Sequence, residues 1–453
     1  MTLKNNIFSK KSQLFWATGI ILFSGSFLLP APPFLKIVLA LFFGLIPLFL
    51  ANPVYFLYFI FLATPALREV AHEQTITDLG PFAVNFNAVL NAGIAIMGIY
   101  IFVGHREKFI KLFKNKFIFF WALFGILAAA GIMYAPDKTK ALAETIRITT
   151  IFIIFISALL LVKNKLDFKI LITCMLAGLA VPILVGAGEW ITGSGWYDKT
   201  IIDYRPNGTF LHPATFAFYL LCSLPIWYAV FHLAKENKYR ILSVLGGAIG
   251  TILIFATLTR GAWVGLLAIL GLYGLVRNRK MLIFATLGLI FLYLLIPPIQ
   301  GRINDIVDPK YNSSFVIRQR IVNTTLPAVA QAPILGNGFG QFEHVHYNYN
   351  PEAYTYNSLQ AHNDYLRIII ELGSIGLSAY LLIYFFLLKW VISEYRQTED
   401  KERQALLFSL IMLWAGMLTV SLGDNILRTM PVQYLAWGYT GAVVGYLFKE
   451  RRI

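Results

Sequence analysis

The feature that most constrains this chain is a succession of almost uncharged apolar runs, each close to the roughly 20 residues a helix needs to cross a bilayer. Divided at their charged or Pro/Gly-rich gaps, the runs fall near residues 14–30, 34–50, 52–67, 86–103, 117–134, 146–162, 169–187, 213–233, 240–258, 261–276, 281–297, 363–388, 405–422 and 430–448. The chain has 453 residues, of which 58% are hydrophobic and only 13% charged, more apolar surface than a soluble fold of this length can hide. Backbone in lipid must satisfy its own hydrogen bonds, and the runs lack the apolar–polar alternation of barrel strands. The expected fold class is therefore an all-α polytopic integral membrane protein with about 12–14 transmembrane helices, the lower number applying if the nearly loopless pairs at Asn52-Pro53 and Arg260-Gly261 are broken or re-entrant helices. The N-terminal LFWATGIILFSGSFLLP, with no small-residue cleavage motif after it, reads as a retained first span.

Basic residues fix the expected orientation, because Lys and Arg stay on the cytoplasmic side. With both termini inside, the segments HREKFIKLFKNK (105–116), KNK (163–165), KENKYR (235–240), RNRK (277–280) and KERRI (449–453) all fall on that side. The net charge of +15 is then accounted for by topology and anionic lipid, with no nucleic-acid partner implied. Cys174 and Cys222 lie inside expected spans and read as small core residues, without the pattern of a disulfide framework or a Cys-based metal site.

The whole of 1–453 reads as one membrane domain, with an external loop at 299–361 inserted between spans. A connection this long is uncommon without a role of its own. Within it Phe315, Ile317, Ile321, Val322 and Leu326 recur at roughly helical spacing, as in short amphipathic helices lying on the outer membrane surface. The Tyr-, Asn- and His-rich piece HVHYNYNPEAYTYNS (344–358) suits stacking on sugars and hydrogen bonding to them; a solvated loop with interfacial tyrosines is the plainer alternative.

Charges at the edges of apolar runs cost free energy unless they are paired or used. Arg205 precedes a span in YRPNGTFLHP, Arg260 sits in LTRGAW where two spans nearly touch, Arg318 lies on the loop helix, and Asp424 lies in VSLGDNILR between the last two spans. Asp424 alternatively pairs with Arg428 one helical turn on. At the head of the span AHNDYLRIIIELGSIGL, Asp364, Arg367 and Glu371 are spaced to form a local ion network, which leaves His362 as a candidate proton acceptor. Several arginines and one histidine on one side of a membrane point to an anionic, lipid-linked substrate. Guanidinium groups grip phosphate oxygens in bidentate fashion, and the outer carboxylates show no paired metal motif such as DxD. A metal-free diphosphate site is the natural reading.

The ordered combination of Arg318, APILGNGFGQF (332–342) and AHNDYLRIIIELGSIGL resembles the signature of the O-antigen ligase and Wzy-type polysaccharide polymerase family. TRGAW (259–263), GTFLHP (208–213) and SLGDN (421–425) match further motifs of that family, so the resemblance covers roughly the C-terminal two thirds. Ala214, Val322 and Asn337 depart from the family pattern. The resemblance implies a glycosyltransferase that uses an undecaprenyl-diphosphate-linked glycan as donor at the outer face of the bacterial inner membrane, needing no cofactor. His362 would be the general base in an inverting transfer, Arg260 and Arg318 would bind the diphosphate with Arg205 as a third ligand, and Asp424 would orient an arginine or the acceptor. The acceptor would be a second glycan repeat, lipid A core or a protein side chain; the span count leans toward the first. A lipid-linked oligosaccharide flippase or other transporter is the alternative from a different class.

Overall fold

The computed structural model describes Ser24 and residues 44–67, 75–79, 82–198, 203–307, 314–351 and 359–449. The described residues are predominantly helical, with almost no sheet. Its helices are α1 (Ile46–Ala51), α2 (Val54–Leu67), α3 (Phe86–Gly104), α4 (Arg106–Leu112), α5 (Lys116–Gly131), α6 (Lys138–Leu161), α7 (Lys165–Ala177), α8 (Ala180–Thr192), α9 (Pro213–Leu233), α10 (Asn237–Ala256) and α11 (Arg260–Val276). They continue as α12 (Lys280–Leu295), α13 (Pro297–Val307), α14 (Ser314–Gln331), α15 (Phe342–Tyr349), α16 (Asp364–Gln397), α17 (Lys401–Val420) and α18 (Met430–Lys449). Two antiparallel hairpins interrupt them: β1 (Thr75–Leu79) with β2 (Phe82–Asn85), and β3 (Trp196–Asp198) with β4 (Asp203–Arg205).

Among the described residues seven helical segments are long and apolar enough to cross a membrane, and nine if two pairs bent by 96° and 103° each count as one span. The chain is thus a multi-pass membrane protein. The expected spans at 14–30 and 34–50 lie largely outside the described residues. Every later one coincides with helix, 169–187 being shared by α7 and α8.

α18 is the hub of the bundle. Nearly all of its described residues are buried, and it packs against α6, α9, α7 and α17. Trp437 sits among Trp121, Phe155, Tyr384 and Trp414, an aromatic centre in which tilted and edge-to-face contacts hold several helices in one register. Small residues let backbones approach here: a side chain on Gly441 or Gly445 would run into the α6 backbone at Phe155 or Leu159.

The described parts of the 299–361 segment hold most of α13 together with α14 and α15, while the second half of the Tyr-, Asn- and His-rich piece, 352–358, lies outside the described residues. Its apolar residues divide between two faces. Ile317 and Ile321 join a small core with Phe342, Val345, Leu366 and Ile370, whereas Phe315, Val322 and Leu326 are exposed along the opposite side of α14.

The loop that follows α14 docks into a break in α16. Gly373 has φ 64° and ψ −165°, a backbone state open essentially only to glycine, and it interrupts the helix. The carbonyls freed there are taken by the LGNGFG turn: Asn337 N and Nδ2 donate to Ile370 O at 3.0 and 2.9 Å, and Gly338 N donates to Glu371 O at 2.9 Å. Ser374 N returns a bond to Pro333 O at 2.8 Å. Gly336, Gly338 and Gly340 all have positive φ, and a Cβ on Gly338 or Gly340 would lie 2.8 Å from Ala135 or Glu144. The PILGNGFG and ELG motifs are therefore two halves of one joint.

Candidate active site

At the end of the bundle where α3, α6, α9, α11, α16 and α18 begin lies an open cavity of about 1730 Å³. It brings together all five residues expected from the sequence: Arg205, Arg260, Arg318, His362 and Asp424. Arg147, Arg302 and Arg428 line it too, so six arginines face two aspartates, Asp198 and Asp424. The first turns of α3, α6, α9, α11 and α18 contribute lining residues, and the positive ends of helix dipoles add to that field.

His362 is held from both sides of the sequence. Asn363 caps α16 by accepting from Leu366 N at 2.9 Å and donates from Nδ2 to Leu422 O at 2.9 Å. Asp364 accepts from Ser421 Oγ and from Leu427 N, each at 3.0 Å. These bonds clamp the AHND segment onto the SLGDN turn and bring His362 Nδ1 to 3.8 Å from Asp424 Oδ1. His362 itself has φ 47°, and Leu258, just ahead of Arg260, has φ 52°; the two non-glycine residues with positive φ among the described ones both line the cavity. Strained backbone of this kind persists only where the surroundings impose it.

Arg318 reaches Asp424 Oδ2 with Nη2 at 3.8 Å, so Asp424 stands between the histidine and this arginine. Burial raises the Asp424 pKa, but the hydrogen bond from His362, the His362 and Arg318 charges and the Asn425 amide more than offset it and hold the carboxyl below its usual range. Burial and the neighbouring Arg260 charge lower the Arg318 pKa despite Asp424. Like charges kept this close in a partly enclosed space favour an anion between them.

Arg205 is differently placed. It is buried and donates from Nε to Thr257 O (2.7 Å), from Nη1 to Asp198 Oδ2 (2.8 Å) and from Nη2 to Thr259 Oγ1 (3.0 Å). Desolvation and the Arg302 charge lower its pKa to about 10, against the pull of Asp198. Arg302 Nη2 donates to the same Asp198 oxygen at 2.8 Å, and Arg260 Nη1 donates to Arg302 O at 3.3 Å. The β3–β4 hairpin, the TRG turn and α13 are thereby joined at the cavity wall.

Two expectations are corrected. Asp364 makes no direct ion pair with Arg367: its Oδ2 turns to Ser421 and Leu427, and it acts on the Arg367 charge only from a distance. Arg428 does not pair with Asp424: it turns to Glu343 Oε1 at 2.6 Å and Glu144 Oε1 at 3.3 Å. The Arg367–Glu371 contact is present at 3.0 Å, but it belongs to a larger buried network in which Arg367 also bonds Glu144 Oε2 at 2.9 Å, Glu144 pairs with Arg147, and Lys140 meets Glu343 at 2.6 Å.

Sequence reasoning passed over Arg147, Arg302, Asp198 and His212. Glu144 and Arg147 at the edge of the 146–162 run carried the signal of charges inside apolar sequence. Arg302 and Asp198 had none, because only the fold places them together. Among the described residues no group of three His, Cys, Asp or Glu side chains is arranged to hold a metal ion.

The remainder of the cavity has a different chemistry. On α3 and α6 the wall mixes apolar residues, Ala88, Ala92, Ala95, Leu142, Ala143 and Ile146, with Asn87, Asn91, Thr139 and Arg147; Leu142 and Ile146 are exposed. One compartment thus holds both a cluster of arginines and a set of apolar side chains.

A family model described as O-antigen ligase matches residues 245–381, the stretch that holds Arg260, Arg318, the LGNGFG turn and His362. An O-antigen ligase from Salmonella typhimurium is 23% identical over 312 residues, covering 64% of this chain and 74% of that protein. With a multi-pass helical fold and the motif residues gathered around one cavity, the chain is similar to the O-antigen ligases, a resemblance that supports a membrane glycan-transfer function.

Proposed function

We propose that the cavity holds a glycan linked to undecaprenyl diphosphate and transfers it to an acceptor hydroxyl at the outer face of the inner membrane. The observation that carries this reading is the meeting, in one open cavity, of six arginines with apolar side chains of α3 and α6, Ala88, Ala92, Ala95, Leu142 and Ile146 among them. A polyprenyl diphosphate has a part to suit each, an anionic head and an isoprenoid tail. The arginines gather at one end of the bundle, as suits a site at the membrane surface better than a transport path through it. The exposed Phe315, Val322 and Leu326 on α14 suit a helix resting on that surface. The cytoplasmic placement of both termini belongs to the same proposal, as does treating 1–453 as one domain with 299–361 as an outer loop.

In this reading Arg260 and Arg318 bind the diphosphate oxygens, and Arg205, whose three guanidinium nitrogens already donate within the protein, fixes the TRG turn and Asp198 while adding its charge. His362 removes the acceptor hydroxyl proton at Nε2. The acceptor oxygen forms a bond to the anomeric carbon from the side opposite the leaving group, the carbon–oxygen bond to the diphosphate breaks, and its electron pair stays on undecaprenyl diphosphate. The anomeric configuration inverts. Asp424, ionised and facing Nδ1, selects the tautomer that leaves Nε2 free and stabilises the imidazolium that forms. The arginines offset charge developing on the leaving group, the electrostatic term that usually dominates such catalysis.

The similarity to O-antigen ligases favours ligation, with lipid A core as acceptor, over chain extension. Purified protein in lipid, supplied with undecaprenyl-linked repeats alone and then with lipid A core, tests this. Product only after core is added is the expected result. Long polymer from the donor alone would establish a polymerase, and no turnover with any hydroxyl acceptor would overturn the reading.

A further inference from the structure

His212 lies on the cavity wall one residue before α9, opened toward the cavity by its place at the helix entrance. Its Nδ1 accepts the Ala214 backbone N–H at 3.1 Å and so caps the helix. A nitrogen that accepts has no proton, so the neutral ring carries its hydrogen on Nε2. Trp196 packs against the imidazole in an edge-on arrangement at 4.8 Å between centroids, which limits rotation of the ring plane. Around it stand Arg205 and Asp198 of the hairpin and, from the other elements, Asp424 and His362. Although the side chain is exposed to the open cavity, desolvation by the surrounding walls and then the Arg205 charge push its pKa down, to about 4, against the two carboxylates.

We infer that His212 is a substrate-binding residue: with its tautomer set by the helix cap, it presents Nε2–H as a fixed, uncharged hydrogen-bond donor to an oxygen of the donor diphosphate. The inference rests on the diphosphate reading above and adds to it. Arginines supply charge to a phosphate but reach it on long, mobile side chains. An imidazole held at Nδ1 by the helix cap and against its ring by Trp196 supplies one direction at Nε2, which defines where the diphosphate stops relative to His362.

The test separates capping from binding. Serine and asparagine both cap helices, but serine is too short to reach across, whereas asparagine keeps an N–H donor on a longer side chain. Purified full-length wild type, His212→Ser and His212→Asn are titrated with geranylgeranyl diphosphate, and thermal unfolding is measured on the same samples. Retained melting temperature in both variants, affinity about tenfold or more weaker in the Ser variant, and part of that loss recovered in the Asn variant are expected. Equal affinity of wild type and His212→Ser would overturn the role of His212 while leaving the donor site standing. Affinity that falls only in step with melting temperature, with no recovery by Asn, would reduce His212 to a helix cap. Failure of wild type itself to bind the prenyl diphosphate would overturn the donor-site reading and this assignment with it.

Discussion

Replacing Gly373 with alanine tests the joint that positions α14. At φ 64° and ψ −165° a Cβ is disfavoured by about 1–3 kcal/mol from backbone strain alone. The new methyl would also lie far inside contact distance of the Ile334 carbonyl, so either the helix break or the PILG loop must move. Movement endangers the three bonds from Asn337 and Gly338 to Ile370 and Glu371 and the Ser374–Pro333 bond, each contributing about 0.5–1.5 kcal/mol net. Losing half of them with the strain gives a destabilisation of roughly 2–6 kcal/mol. The loop is the continuation of α14, so the effect reaches Arg318 as well as stability. Thermal unfolding in a fixed detergent, together with hydrogen exchange of the 333–340 amides, reads both consequences. Unchanged melting temperature with unchanged protection at Asn337 and Gly338 would refute the argument, since neither strain nor clash could then be present.

Glu144→Ala leaves Arg367, a buried cation, short of one carboxylate and removes partners of Arg147 and Arg428; a loss of about 3–5 kcal/mol is expected from chemical or thermal unfolding, with Glu144→Gln milder. His362→Ala should abolish transfer, with prenyl diphosphate binding and melting temperature kept; wild-type turnover in that variant removes the histidine from the mechanism. Arg260→Lys and Arg318→Lys should each lower turnover about tenfold or more, because lysine keeps the charge but not the bidentate fork; full activity in both would assign the arginines to packing or headgroup contact. Asp424 has a folded pKa below its ordinary value of 3.8, so its stabilisation is complete above that value and disappears as pH falls through the lower, folded one. Asp424→Asn should therefore be less stable than wild type at neutral pH and approach it in strong acid, and a stability difference that stays constant down to the acid limit would contradict the linkage.

The sequence alone determined the class of fold and most of its helices, because the length and polarity of an apolar run are local quantities and the bilayer imposes one solution on them. The spans at 213–233 and 430–448 were legible to within a residue. It also marked Arg205, Arg260, Arg318, His362 and Asp424, each an ionisable group at the edge of apolar sequence or in a recognisable motif. What pairs with what was not legible. Asp364 and Arg367 are three residues apart, yet they bond in different directions, because Ser421 and Leu427 lie closer to the carboxylate than the helix neighbour does. Arg428 passes over Asp424 for Glu343 and Glu144, which are distant in sequence.

Glycines in LGNGFG suggested a turn, but only the packed structure shows that its amides fill the gap Gly373 opens in α16. The meeting of the arginines with the apolar side chains of α3 and α6 in one cavity was likewise beyond the sequence. Arg302, Asp198 and Ala92 acquire a shared role through helix packing, and packing partners are set by shape and burial across long stretches of chain. The sequence determines which segments cross the membrane because each segment answers to lipid by itself. Tertiary structure decides which side chains meet because that depends on every segment at once.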